Sequence, residues 1–276
     1  MISNLEAALL GLIQGLTEFI PVSSTAHLRI MPALLGRQDP GAAYSAVIQL
    51  GTLLALLVYF RTDLISFTRA ALQGIFQGDP FRDRPARMAW YIVLGTVPVS
   101  VFGLLFAKFI TGEARSLYVI SASLILLASL LWLADRFSSR KRDIEDAGWR
   151  DFLLVGLAQS LALIPGASRS GTTLTMGLLL GFTRESSMRI SFLLSIPAIG
   201  LSGFYELFQE REHLAGLGFE GLLTGTLVAA LVGYATIAGL LKFLKKHTTL
   251  AFVLYRICLG ALILGLLRQG VLQALG

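Results

Sequence analysis

The sequence predicts an all-α integral membrane protein made of two inverted-topology repeats, each a re-entrant helix hairpin followed by three transmembrane helices. Three observations lead there: the composition, a series of nearly charge-free runs of spanning length, and a matched pair of polar interruptions. Of 276 residues, 55% are hydrophobic and only 14% are charged, more apolar surface than a water-soluble domain of this size needs. A bilayer core of about 30 Å takes roughly 20 helical residues to cross, and the runs are read against that length.

Taken in order, residues 7–35 are apolar, then polar, then apolar again, with Pro21 just ahead of a hydroxyl cluster. Proline ends a helix at that point, and backbone freed at membrane depth is tolerated only where protein or a polar cavity satisfies it. This segment is expected to be a re-entrant hairpin. Residues 42–60 form the first span. Residues 61–87 place Phe67, Leu72, Ile75 and Phe76 among arginines, a pattern that fits a helix lying on anionic headgroups and a solvated loop equally well. Residues 88–107 and 116–134 give the next two spans. Residues 152–182 then repeat the interrupted pattern with Pro165, and spans follow at 190–205, which is shorter, 221–241 and 248–267.

The repeats are expected at 1–136 and 150–276 of a single membrane domain. Three crossings per half is an odd number, so the second half must insert upside down relative to the first, and the two hairpins enter from opposite faces. No Lys or Arg precedes Arg29, and Glu6 is present, which argues against a cleaved signal peptide. The single Cys258 excludes an internal disulfide or a cysteine-based metal site. Of the 23 Lys and Arg, 15 would lie on one side, among them Arg61, Arg87, Arg140, Lys141, Arg142, Arg184 and Lys245, while Arg29, Arg37, Lys108, Arg115, Arg211 and Arg268 lie on the other. The positive-inside rule makes the first side cytoplasmic and both termini periplasmic. The net charge of +6 is largely this asymmetry, which leaves little reason to invoke nucleic acid.

The interruptions read Gly11-Leu-Ile-Gln-Gly-Leu-Thr-Glu-Phe-Ile-Pro-Val-Ser-Ser24 and Gly156-Leu-Ala-Gln-Ser-Leu-Ala-Leu-Ile-Pro-Gly-Ala-Ser168. Each carries charge and hydroxyls to a depth where lipid makes them costly, so they are functional candidates. In Ser168-Arg-Ser-Gly-Thr-Thr173 the hydroxyls of Ser168, Ser170, Thr172 and Thr173 open a helix. The N–H groups and dipole of that helix, with the guanidinium fork of Arg169, make an oxyanion cradle. Ser23, Ser24 and Thr25 open the other exit helix in the same way. Hydroxyls alone would serve as ordinary helix caps, but caps do not explain a buried arginine. Glu18 can hold a divalent cation or orient a base, and His27 can exchange protons or attack as a nucleophile. Gln14 lies one turn before Glu18 on the same face, and Gln159 is its counterpart in the second half. Arg256, in the middle of the last span, can pair with Glu18, face the site or serve as a buried structural charge.

Gln14-Gly-Leu-Thr-Glu-Phe-Ile-Pro-Val-Ser-Ser-Thr-Ala-His27 and Pro165-Gly-Ala-Ser-Arg-Ser-Gly-Thr-Thr173 closely resemble the two signature motifs of the bacterial undecaprenyl-diphosphate phosphatases of the bacitracin-resistance type. The resemblance covers nearly the whole chain, including Val47-Ile-Gln-Leu-Gly51 and Tyr255-Arg256. It implies hydrolysis of undecaprenyl diphosphate to undecaprenyl phosphate and inorganic phosphate, recycling the cell-wall lipid carrier in the inner membrane and conferring bacitracin resistance, with Mg²⁺ or Ca²⁺ assisting. Catalysis would fall to Glu18, Ser24, His27 and Arg169, substrate binding to Gln14, Ser23, Thr25, Ser168, Ser170, Thr172 and Thr173, and the metal to Glu18 and Gln14. Members often carry Glu where this chain has Gln14 and Ser45, which leaves fewer carboxylates for a cation. Whether Ser24 or His27 attacks stays open at this level. The expected partners are the polyprenyl diphosphate, membrane lipids and a second copy in a homodimer. A rival reading is a transporter or flippase of a phosphorylated polyprenyl lipid, because inverted repeats and broken helices serve translocation too.

Overall fold

The computed structural model describes residues 2–34, 41–106, 116–209 and 218–274. Arg37, Lys108, Arg115, Arg211 and His213 lie outside the described residues. Among the described residues all regular structure is helical, with one isolated bridge, Arg142–Phe182, in the connections. The first half contributes α1 (Asn4–Thr17), α2 (Ser24–Leu34), α3 (Gly41–Tyr59), α4 (Arg61–Phe76), α5 (Arg84–Leu105) and α6 (Leu117–Phe137). The second contributes α7 (Trp149–Ser160), α8 (Arg169–Leu179), α9 (Arg184–Gln209), α10 (Phe219–Leu244) and α11 (Leu250–Arg268). Five helices, α5, α6, α9, α10 and α11, are long and apolar enough to cross a membrane, and α3 taken with α4 makes a sixth. Between α3 and α4 the chain bends by 76°, so residues 61–76 are a helix set steeply across its span rather than a loop. That helix leaves Ile65, Leu72, Ile75 and Phe76 exposed, as an interfacial helix does.

Two short helices open each half. At 14 and 11 residues for α1 and α2, and 12 and 11 for α7 and α8, they reach only about 16–21 Å, too little to cross. A capping box starts α1, in which the Ser3 hydroxyl accepts the Glu6 N–H and Glu6 accepts the Ser3 N–H, both at 3.3 Å. Each turn ends on a serine in the left-handed region, Ser23 at φ 74° and Ser168 at φ 69°, where non-glycine residues are uncommon. Ser168 then caps α8 by accepting the Gly171 N–H at 3.2 Å.

The hairpins exchange seats. Helix α1 packs on α10 of the second half, with Gly11 against Gly225 and Gly15 against Ala229 and Gly233, while α7 packs on α5 of the first half, with Gly156 against Gly95. A Cβ at Gly11 or Gly156 would strike the facing carbonyl oxygen, so only glycine lets these backbones come so close. Phe19 is buried, meets Phe192 edge-on at 5.3 Å and faces Gly233 near the middle of α10. That contact fixes the depth of the first turn.

Ion pairs knit one end of the bundle. Asp135 holds Arg184 at 2.7 Å and Arg140 at 3.5 Å, Arg142 holds Asp151 at 2.7 Å, Arg189 meets Asp63 at 3.0 Å, and Lys245 meets Glu185 at 3.2 Å. These are basic residues that the sequence groups on one side. The described ends of the chain lie at the opposite pole, where Ile2 packs near Gly221 and the Ala274 carbonyl accepts the Leu117 N–H at 3.0 Å.

Candidate active site

The two turns meet where α1, α2, α3, α8 and α9 converge on a cavity of about 250 Å³. Glu18 is the hub. Its Oε2 accepts the Gln14 amide at 3.0 Å and the Ser24 hydroxyl at 2.7 Å, and its Oε1 accepts the Gln49 amide at 2.7 Å. Arg169 Nη1 stands 3.9 Å from Glu18 Oε1 and has no hydrogen-bond partner among the described residues. A desolvated guanidinium with unused donors, set at the first turn of α8, is arranged to grip an anion. Ser170 ties the two loops by donating to the Ile20 carbonyl at 3.3 Å, and it lies 3.2 Å from the Ser168 hydroxyl. Ser45 and Ala46 from the start of α3, and Ser202 and Glu206 from the end of α9, also line the cavity. It therefore lies toward the pole that holds both ends of the chain.

The fold brings Gln14, Glu18, Ser23, Ser24, Thr25, Ser168 and Arg169 to the cavity wall. It places the other sequence candidates off that wall, and the reasons are local. Thr172 and Thr173 turn back into α8 and donate to the Arg169 carbonyl at 3.1 and 2.7 Å, with Thr173 also 2.6 Å from the Ser191 hydroxyl. Ser170 is used in bridging the loops. His27 faces α11, where its Nε2 lies 2.6 Å from the Tyr255 hydroxyl. Arg256 does not pair with Glu18. Fully buried, it donates through Nη2 to the carbonyls of Gly166, Ala167 and Ser123 at 3.3, 2.9 and 3.3 Å. Gln159 is buried, and neither of its amide atoms has a hydrogen-bond partner among the described residues. The cavity wall also includes polar residues that the sequence does not mark as site candidates, among them Thr17, Arg29, Gln49, Ser202 and Glu206. A polar residue inside an apolar run was the available signal for Gln49.

The residues present fit a resident divalent cation poorly. Hard cations take several oxygen ligands, whereas both oxygens of Glu18 are engaged by N–H and O–H donors and the Gln14 and Gln49 amides turn nitrogen toward it. Among the described residues no group of three His, Cys, Asp or Glu side chains comes together.

Fold and site thus define an α-helical membrane protein with a desolvated arginine and a carboxylate-bound serine lining one cavity. The family model described as bacitracin resistance protein BacA matches residues 7–262, and the chain belongs to that family. It is 52% identical over 278 residues to a protein of Chlorobium phaeobacteroides (strain BS1) named undecaprenyl-diphosphatase, covering 98% of this chain and 99% of that one. A protein of Myxococcus xanthus (strain DK1622) with the same name is 55% identical over 271 residues, 98% of this chain and 91% of its own. One from Chloroherpeton thalassium (strain ATCC 35110 / GB-78) is 50% identical over 280 residues, 98% and 99%.

Proposed function

We propose that this protein hydrolyses the phosphoanhydride of undecaprenyl diphosphate, returning undecaprenyl phosphate to cell-wall synthesis and conferring bacitracin resistance. The observation that carries the mechanism is the 2.7 Å hydrogen bond from the Ser24 hydroxyl to Glu18 on the cavity that Arg169 also lines. A carboxylate within hydrogen-bond reach is the base a serine nucleophile needs. Ser24 Oγ attacks the terminal phosphorus as its proton passes to Glu18. The bond from that phosphorus to the bridging oxygen breaks, and the lipid leaves as its monophosphate. The leaving lipid monophosphate takes that proton from Glu18; water then attacks the phosphoserine and gives a proton to Glu18, the bond from phosphorus to Ser24 Oγ breaks, and Glu18 returns the proton to Oγ as inorganic phosphate departs. Arg169 and the open N–H groups at the starts of α2 and α8 stabilise charge on the transferring phosphoryl oxygens, the main source of catalysis in this reaction. Mg²⁺ or Ca²⁺ enters this reading with the substrate, bound by diphosphate oxygens, and no step above runs through it.

The same proposal puts the protein in the bacterial inner membrane with the basic pole cytoplasmic, both termini periplasmic and the cavity serving the periplasmic half, and includes a homodimer, to be checked by cross-linking in the bilayer. With Cys258 replaced, Arg140→Cys and Lys245→Cys should resist an impermeant thiol reagent in intact cells while Arg211→Cys reacts. Labelling at 140 would reverse the orientation. The activity is tested by phosphate release from a polyprenyl diphosphate by purified protein in detergent, with Ser24→Ala in parallel. Release that Ser24→Ala abolishes supports the mechanism; movement of the lipid across vesicles without release would favour the transporter.

A further inference from the structure

Helix α11 carries two consecutive side chains that reach the two loops. Consecutive helix positions point about 100° apart, and here Tyr255 turns toward the first loop and Arg256 toward the second. Tyr255 stacks on His27 with ring centres 5.6 Å apart and planes 6° from parallel, its hydroxyl 2.6 Å from Nε2. The opposite ring nitrogen, Nδ1, lies 2.7 Å from the Ser23 carbonyl oxygen. A carbonyl only accepts, so Nδ1 carries a proton, and in the neutral ring Nε2 is left to accept from the tyrosine. Arg256 does the matching work on the other side by holding the Gly166 and Ala167 carbonyls.

The carbonyls so held belong to the strained parts of the loops. Ser23 is itself in the left-handed region, and Gly166, at φ 88°, and Ser168 are the two left-handed residues of the second loop. Such backbone persists only where the surroundings over-determine it. The peptide after Ser23 leads directly into Ser24, and the peptide after Ala167 leads into the left-handed Ser168 that precedes Arg169, so turning either peptide would move Ser24 or Arg169 against the cavity. His27 does not line that cavity, and both of its ring nitrogens are engaged.

We infer that Tyr255 and Arg256 form a two-sided clamp through which α11 sets both anion-binding loops in register, and that His27 is a positioning residue, acting on Ser24 through the Ser23 peptide and not on phosphorus. The inference rests on the reading of Ser24 as the attacking group. It differs from a catalytic role for His27 in which atoms matter: the hold on the Ser23 carbonyl needs an N–H at the place of Nδ1, with Nε2 adding the tie to Tyr255, whereas a base or nucleophile needs the imidazole.

The test compares isosteres. In His27→Asn the amide nitrogen falls where Nδ1 was, while in His27→Gln it falls where Nε2 was, and neither amide can act as a base. For phosphate release from a polyprenyl diphosphate by full-length protein in detergent, kcat of His27→Asn, which keeps the N–H on the Ser23 carbonyl but gives up the acceptor for Tyr255, should fall by no more than about tenfold. His27→Gln and His27→Ala should lose about 10²-fold, the scale of a misplaced reacting group, with KM within about twofold throughout. Tyr255→Phe keeps the stacked ring and removes only the hydroxyl; its kcat should fall about tenfold at unchanged KM. The inference is overturned if His27→Asn, shown folded by its thermal unfolding midpoint, falls as far as His27→Ala, or if Tyr255→Phe turns over at the wild-type rate. Should His27→Asn fail to fold, Tyr255→Phe decides alone. Ser24→Ala measured alongside separates the two levels, because activity retained there removes the nucleophile reading whatever the histidine series gives.

Discussion

Glu18→Gln is the substitution that most directly tests how the cavity works. In the native site the carboxylate takes donors from Gln14, Gln49 and Ser24 at 3.0, 2.7 and 2.7 Å. The amide keeps the shape and one acceptor and puts an NH₂ in place of the other. A half-turn of the Gln49 amide restores the pairing, so the fold should survive with about 1 kcal/mol lost. The charge matters more. Unit charges 3.9 Å apart, as Arg169 and Glu18 are, attract by about 4 kcal/mol at an effective dielectric of ~20, a gross figure that the desolvation of both groups largely offsets. Removing the carboxylate leaves the guanidinium entirely to the diphosphate, so KM should stay or fall, and inhibition by inorganic pyrophosphate should tighten. Loss of the base should lower kcat by 10²- to 10⁴-fold, about 2.7–5.4 kcal/mol. Steady-state phosphate release at graded substrate, with the pyrophosphate inhibition constant, reads both. A kcat within about threefold of wild type would refute the base, and recovery of Glu18→Gln by added Mg²⁺ or Ca²⁺ would identify Glu18 as a metal ligand instead.

Arg169→Lys keeps the charge but not the fork, and should lose about 10²-fold in turnover, about 2.7 kcal/mol of transition-state stabilisation; a near wild-type rate would mean that Arg169 supplies net charge alone. Gln14→Glu adds a second carboxylate one turn from Glu18 and should create what the native donor set lacks, lowering the Mg²⁺ or Ca²⁺ activation midpoint of chelator-stripped protein. Equal midpoints in the two proteins would show that position 14 does not meet a cation. Gly156→Ala drives a methyl into the Gly95 carbonyl and should cost about 1–3 kcal/mol, seen as a lower unfolding midpoint in detergent. Gly239→Ala, with nothing within 4 Å of its added methyl, should leave the midpoint unchanged or raise it.

What the sequence made legible follows from what lipid enforces. Spans are visible because no other composition can cross, and the hairpins because Pro21, Pro165 and the buried charges cannot belong to an ordinary span. Glu18 and Arg169 were legible for the same reason: a charge at that depth has no cheap structural explanation, whereas Ser24, whose hydroxyl could be a plain helix cap, was singled out by its place in the motif. The direction of a side chain on a short helix was not legible. His27 lies one turn beyond Ser23, which places it beside the loop, but only the packing of α11 turns its ring away from the cavity. Thr172 and Thr173 share a motif with Arg169, yet their hydroxyls satisfy helix carbonyls. Gln49 is ambiguous in sequence because a lone amide in an apolar span also suits a contact between helices; its role becomes visible only when α3 is laid beside the first turn. For Arg256 the sequence left three readings level, and the loop carbonyls it holds could be known only from the folded second hairpin.

Because each hairpin is seated on the opposite half, the catalytic apparatus is a property of the seam and of neither repeat. A fragment ending near residue 136 would carry Glu18 and Ser24 but leave α1 without the glycine track of α10; its complement would carry Arg169 and Arg256 but leave α7 without Gly95. Each fragment is thus a template missing its counterpart, and co-produced fragments have a reason to assemble that separately produced ones lack. A chain severed between residues 138 and 148 should regain hydrolysis by complementation only when both pieces share a bilayer.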